Sequence, residues 1–505
     1  MERKEIIKFL NNPESYSRPV KKVKHIQTYI SDVFLTGKFA YKIKKPVNYG
    51  YLNFTTLAKR KFFCQQELQL NRRLSREIYL EVLPITEKDG KLKLGGSGKP
   101  VEYILKMKEI PQQYLMNKLI GKNKITKRIF DKLAQIVANF HARAETSKKI
   151  SFFGSLKIIN KNWQENFSQS KPFIGKTIGS ADWKFLKKSV EKFIKQNKKI
   201  FNQRIKEKKI KDCHGDLHKG NIFIAPEKIY VFDCIDFNKR FRYQDVISEI
   251  AYFAMEMDFA GKKELSSYFI DQYFKFSKDQ KLINLLLFYK CYRAYIRGKV
   301  GGFSLNNSDL SKKQKEANIK KVREYFVLAK KYAQEMNKSI LVVGAGLPGI
   351  GRSTRLKFLA QKINAVILDS DIIRRQIKVI TYDKKSKLKV YQKMIDSAEK
   401  YLRQGKNVIL DATFSKKEYR ILLDKLIKKT KPDFYFIEFY CSDKIARQRL
   451  EKRSKEKSFS QADWRVYQII KKEFELIKNQ RNYFRINTVE VPEDCVEKII
   501  KKIKF

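Results

Sequence analysis

Acid is what this sequence has least of for its size. Its 505 residues carry 53 Asp and Glu against 110 Lys and Arg, a formal charge of +57. Long apolar runs are missing too. The longest, near Leu285–Tyr289, falls far short of the roughly 20 residues a membrane-spanning helix needs. The N-terminus, MERKEIIKFLNN, has no apolar core for a signal peptide, so a cytoplasmic protein is expected. Six cysteines form no C-x-x-C pair, and four histidines lie too scattered for a zinc site. Reduced, partly buried thiols are expected instead. Neither an aromatic-rich RNA motif nor a DNA-reading signature occurs.

The length leaves room for about three compact units. A strongly basic chain attracts phosphates, nucleic acid or anionic membrane. Here the lysines are spread along a chain rich throughout in Lys, Ile, Asn and Phe. Compositional drift is therefore the favoured source of the charge, with some steering of ATP and acidic substrates as a by-product.

The most informative stretch is His214–Phe223, HGDLHKGNIF. A strand-like run, Ile229–Phe232, follows and ends in Asp233. An Asp, an Asn five residues on, and a second Asp past a strand is the set that phosphoryl transfer from ATP requires. Asp216 is expected to take or orient the proton of the attacking hydroxyl. Asn221 and Asp233 are expected to hold Mg²⁺, with Asp236 as a weaker third ligand. HGDLHKGN resembles the catalytic loop of aminoglycoside phosphotransferase-like kinases, where HGD replaces the protein-kinase HRD.

Upstream, the runs Thr28–Leu35 and Phe39–Lys45 flank Thr36-Gly37-Lys38, a hairpin signal. In a kinase small lobe such a hairpin roofs the nucleotide, although no Gly-rich phosphate-covering motif is present in it. Lys42 is the expected lysine on the α- and β-phosphates, with Lys44 on the same strand face as the fallback. The periodic stretch Leu57–Leu74 predicts a helix, and within it Glu67 is a lone acid among bases. A kinase needs such a helix-borne Glu to fix the lysine. Gly95–Gly98 reads as a flexible turn, and Val101–Met107 as the strand entering an interlobe hinge. Further on, His141 reads as a structural histidine, and the resemblance implies that Asp245 anchors the catalytic loop. Arg293 and Arg297, four apart on one helix face, fit either a negatively charged substrate or an outer basic face.

A short apolar strand, Ser339–Val343, precedes GAGLPGIGRST. From Gly346 the spacing is that of a Walker A loop, with Arg352 where Lys is usual. Gly346, Gly349, Gly351, Arg352, Ser353 and Thr354 are the expected phosphate-binding residues, and Ser353 also a Mg²⁺ ligand. An arginine keeps the charge but is a planar fork where a compact ammonium is wanted. A loss of ~3 kcal/mol in transition-state stabilisation would slow transfer over a hundredfold. Asp371 is expected at the acceptor hydroxyl or metal, and Asp411 is Walker-B-like. Arg449 and Arg453, spaced i and i+4, are the expected lid arginines for the transferring phosphoryl. Lys455–Lys457 is the expected lid.

Together HIQTYISDVFL, AYKIKKPVNYGYLNF, EYILKMK, HGDLHKGN and FDCIDF look like a bacterial subgroup that fuses an aminoglycoside phosphotransferase-like domain to a P-loop kinase-like one. In that subgroup Glu usually stands at position 236. The resemblance implies an α+β bilobal kinase-like domain followed by an α/β P-loop NTPase domain with a mainly parallel sheet. The expected divisions are a small lobe at 1–107, a large lobe at 108–311, a helical linker at 312–337 and the P-loop domain at 338–505. Asn306–Asp309 is the expected end of the first domain. The expected function is ATP- and Mg²⁺-dependent phosphotransfer to a small hydroxyl compound, whose identity fold does not determine. The competing expectation is a nucleic-acid end-binding or polynucleotide-kinase-like protein with a degenerate P-loop.

Overall fold

The computed structural model describes residues 2–280, 282–303, 305, 311–379, 381, 383–454, 463–477 and 480–503. The Asn306–Asp309 segment and the Lys455–Lys457 lid lie outside the described residues. The chain divides into two compact units. One is Met1–Lys281 with Leu285–Ala333; the other is Gln334–Phe505 with Leu282–Asn284.

In the first unit a six-stranded antiparallel sheet forms from β1 (Lys24–Gln27), β2 (Ser31–Leu35), β3 (Phe39–Lys44), β4 (Tyr79–Lys88), β5 (Lys91–Leu94) and β6 (Lys99–Lys108), in the order β1-β2-β3-β6-β4-β5. Helix α1 (Leu57–Ser75) enters after β3, capped by Thr56, whose hydroxyl accepts from Lys59 N. The rest of the unit is mostly helical. Its main supports are α2 (Lys127–Arg143), α3 (Val246–Phe259), α4 (Ile283–Phe303) and α5 (Lys312–Met336). Two short ladders frame the catalytic stretch. Ile210–Asp212 pairs with Tyr243–Asp245 before it, and Ile222–Ile224 pairs with Ile229–Val231 after it. Of the helix Lys312–Met336, read from the sequence as a stiff connector or the first domain's last helix, the part up to Ala333 belongs to this unit. Tyr325 donates to Glu256, Tyr332 to Asp258 and Lys330 to Asp182.

The second unit has a five-stranded sheet of β7 (Ile340–Ala345), β8 (Ala365–Asp369), β9 (Asn407–Asp411), β10 (Asp433–Tyr440) and β11 (Tyr483–Asn487). Its order is β8-β9-β7-β10-β11, and every pairing is parallel. Both faces of the central strands are covered, which is why β7 is apolar from end to end. Helix α6 (Arg352–Ile363) follows the Gly-rich loop, and α7 (Asp443–Ser454) follows β10. The expected fold class, an α+β kinase-like unit followed by a parallel-sheet P-loop unit, is the one present. No described helix is long and apolar enough to cross a membrane.

Candidate phosphotransfer and nucleotide sites

In the first unit, β3 presents two lysines on one face, because side chains two apart on a strand point the same way. Both converge on Glu67 of α1. Lys42 Nζ donates to Glu67 Oε1 at 2.7 Å and to Asp233 Oδ1 at 2.8 Å. Lys44 Nζ donates to Glu67 Oε2 at 2.8 Å and to Asp236 Oδ2 at 2.6 Å. Two ammonium groups thus alternate with three carboxylates. The two halves differ in access: the Asp233 side chain is 46% exposed, while Lys44 is 2% and Asp236 6% exposed. Burial alone would raise the Glu67 pKa, but the two lysines outweigh it and hold it at about 2. Burial pushes the Asp236 carboxyl up, against the pull of Lys44.

The His214–Phe223 stretch is fixed by its own histidines. His214 Nε2 bonds Phe232 O at 3.0 Å, and its Nδ1 accepts from Asp216 N at 3.3 Å. His218 Nδ1 accepts from Gly220 N at 2.9 Å, while its Nε2 lies 3.3 Å from Asp216 Oδ2. Asn221 Nδ2 donates to Asp216 Oδ2 at 2.9 Å. That contact orients the amide so that its carbonyl oxygen is left for a cation. Burial works against an ionised Asp216, yet His218, His214 and Arg297 keep its pKa well below the carboxylate range. Gly215 has φ 89°, and a Cβ there would lie 3.0 Å from Phe241 O, so only glycine fits before Asp216.

Lys42, Glu67 and Asp233 form one ion-paired set and Asp216 and Asn221 a second, the two joined through Phe232, whose N–H donates to Asn221 O at 3.0 Å next to Asp233. Asp233 and Asn221 offer the hard oxygen donors that Mg²⁺ prefers. Asp233 carries Lys42 and Asp236 carries Lys44, but the Asp233 side chain is 46% exposed and that of Asp236 only 6%. Asp245, expected to anchor the loop, is a bidentate partner of Arg204 at 2.9 and 2.7 Å. The loop anchor is Glu249, four residues on. It accepts from the backbone N–H of His214 at 3.1 Å and of Gly215 at 2.5 Å, and it meets His141 Nε2 at 2.8 Å. His141 is accordingly structural. Arg293 donates to Gly215 O at 3.3 Å, and Arg297 pairs with Glu256 at 3.1 Å.

In the second unit the loop from Gly346 to Gly351 joins β7 to α6, with the glycines at positive φ. A Cβ on Gly349 would strike Leu450 at 2.5 Å, and one on Gly351 would meet Arg355 at 2.8 Å. The loop can take this path only with glycine there. Ser353 and Thr354 open the first turn of α6. Arg352 turns back across the loop, its Nε on Asp411 Oδ1 at 2.5 Å and its Nη1 on Gly346 O at 2.7 Å. The cation that replaces the usual lysine therefore sits on the Walker-B-like acid. Arg449 donates to Ile350 O at 2.7 Å and to Thr488 O at 2.7 Å, clasping the loop from behind. Arg453 lies within electrostatic reach of Asp371, although burial lowers its pKa. Asp369 caps the helix bearing Asp371, and burial together with nearby Asp411 raises its pKa.

Residues 341–477 match the family model described as an AAA domain. Proteins of Mycobacterium tuberculosis and Mycobacterium bovis, both described as uncharacterized, are 29% identical to this chain over 429 residues. The match covers 82% of this chain and 83% of theirs. Among solved structures, a gluconokinase from Sinorhizobium meliloti is 15% identical and aligns with 33% of this chain and 92% of its own, at a TM-score of 0.27. A choline/ethanolamine kinase family protein from Mesorhizobium loti is 11% identical and aligns with 66% of this chain and 98% of its own, at a TM-score of 0.38.

Proposed function

We propose that the chain is an ATP-dependent phosphotransferase whose working centre is Asp216 in the first unit, and that the P-loop unit binds nucleotide but transfers slowly. The observation that carries this is the convergence of Lys42 on Glu67 and Asp233, with Asp216 and Asn221 bonded to each other beside a shared loop. Lys42, held by Glu67, offers its ammonium to the α- and β-phosphates. Asp233 and Asn221 would hold Mg²⁺, which neutralises charge between the β- and γ-phosphates. The acceptor hydroxyl oxygen attacks the γ-phosphorus, an O–P bond forms, and the bond to the β-phosphate oxygen breaks to release ADP. The hydroxyl proton passes to Asp216. Its depressed pKa suits an orienting carboxylate that takes the proton late, as a loose transition state allows.

In the P-loop unit, Arg352 must leave Asp411 before that acid can serve a metal. Asp371 and Arg453 would flank an acceptor there, with Arg449 bracing the loop on the nucleotide. The six free cysteines, five of them buried, suit a reducing cytoplasm. The test is ADP release from ATP and Mg²⁺ over a panel of small hydroxyl compounds. Acceptor-dependent release that Asp216→Asn abolishes is expected; unchanged turnover in that variant contradicts the assignment.

A further inference from the structure

Solvent-exposed aromatic rings are usually scattered, and a contiguous set beside a catalytic loop points to a ligand. Tyr49 and Tyr51, 46% and 48% exposed, lie on the loop between β3 and α1, and Tyr29, 65% exposed, lies in the β1–β2 turn, where its carbonyl accepts from Tyr49 Oη at 3.4 Å. The loop is closed by a bridge between Asn48 and Asn53, and Gly50 turns at φ 77°. Tyr49 and Tyr51 are stacked with centroids 6.1 Å apart, and Tyr51 continues onto Phe237 at 6.0 Å and Phe241 at 6.4 Å. Asn238 Nδ2 donates to Tyr51 O at 3.1 Å, pinning the loop to the segment that follows Asp236.

The inner end of this aromatic path abuts the catalytic loop. Ile235 N donates to His214 O at 3.1 Å. The Phe241 carbonyl is the atom that forbids a side chain at Gly215, next to Asp216. Lys239 is exposed, while Arg240, over the Phe241 ring at 5.4 Å, is paired with Glu165 at 2.8 and 2.7 Å; Lys161 and Lys299 also act on that carboxylate, so cations outnumber acid there. Aromatic rings can also cage a quaternary ammonium, but cations at the rim oppose that occupant. A flat ring joined to an anionic, hydroxyl-bearing group matches both features, since bases stack on tyrosine whatever their identity.

Resting on the phosphotransferase reading, we infer that the acceptor of the first unit is a nucleoside or nucleotide. Its base stacks on Tyr51, and its sugar hydroxyl is thereby directed to Asp216. On this reading Tyr51 acts on the acceptor and not on ATP.

The test uses the full chain with ATP and Mg²⁺. The acceptors are uridine, cytidine, guanosine and their 5′-monophosphates, set against ribose 5-phosphate and choline. Transfer to one of the base-bearing compounds, abolished by Asp216→Asn, is expected. Tyr51→Ala should raise the KM for that compound about tenfold and lower kcat, with the KM for ATP unchanged, and Tyr51→Trp should restore both. Transfer only to ribose 5-phosphate, to choline or to none of the probes overturns the nucleotide assignment. So does an unchanged KM in Tyr51→Ala. If transfer occurs but survives Asp216→Asn, the fault lies in the phosphotransferase reading of the first unit.

Discussion

The two candidate sites each bring a cation and an acid together, with different access to the acid. In the first unit each lysine has its own further partner, so Glu67 is shared and never left alone. Asp233 stays half exposed and reachable. In the P-loop unit the single loop cation, Arg352, lies on Asp411, which is 2% exposed. A metal or phosphate must first separate that pair. Both acids already carry a cation, Lys42 on Asp233 and Arg352 on Asp411, so the half-exposed Asp233 against the buried Asp411 is the physical reason to expect one fast site and one slow one.

The largest effect expected from breaking this contrast is in Lys42→Met. Removing the phosphate-facing cation should cut kcat/KM by about 10³-fold, the order that positioned charge contributes to phosphoryl transfer. Thermal unfolding should shift little, because Lys44 still partners Glu67. Lys44→Met should do the reverse. It strands Asp236 in a buried setting, which costs about 3–5 kcal/mol, while Lys42 still partners Glu67. A lowered Tm in the first transition would be measured, with ATP affinity retained in the folded fraction. Arg352→Lys sharpens the other half. A compact ammonium should free Asp411 and raise P-loop transfer by up to about a hundredfold, read as ADP release in an Asp216→Asn background.

The smallest effect is acid sensitivity. Glu67 and Glu249 are both held at about 2 in the folded chain, below the ordinary value of 4.5. A depressed carboxylate stabilises above its unfolded pKa and loses that contribution as pH falls toward its folded one. The first unit should therefore weaken between pH 4.5 and pH 2, by on the order of 3 kcal/mol for Glu249 alone. Circular dichroism against pH checks this, and Glu249→Gln should flatten the slope.

Local chemistry made much of this legible beforehand. HGDLHKGN carries its own loop geometry, since both histidines bond backbone within two residues of themselves. The strand–glycine–helix order of GAGLPGIGRST sets the P-loop in the same local way. Glu67 could be picked out because a lone acid on a basic helix had one plausible partner upstream. What stayed hidden depends on distant contacts. The loop anchor fell to Glu249 because Asp245 is drawn off by Arg204, 41 residues earlier. Asp236 lies in a metal-ligand spacing but is claimed by Lys44, 192 residues away. Arg449 has lid-like spacing, yet its acceptors lie on the P-loop and at Thr488. The edge strand Lys24–Gln27 has no clear alternation and forms because β2 offers a free edge.

The most direct measurement compares ADP release by the full chain in two variants, Asp216→Asn and Asp411→Asn, with the same acceptor. The contrast between the sites predicts that Asp216→Asn removes nearly all turnover while Asp411→Asn leaves most of it. Loss in Asp411→Asn with turnover retained in Asp216→Asn would contradict it and place the working centre in the P-loop unit.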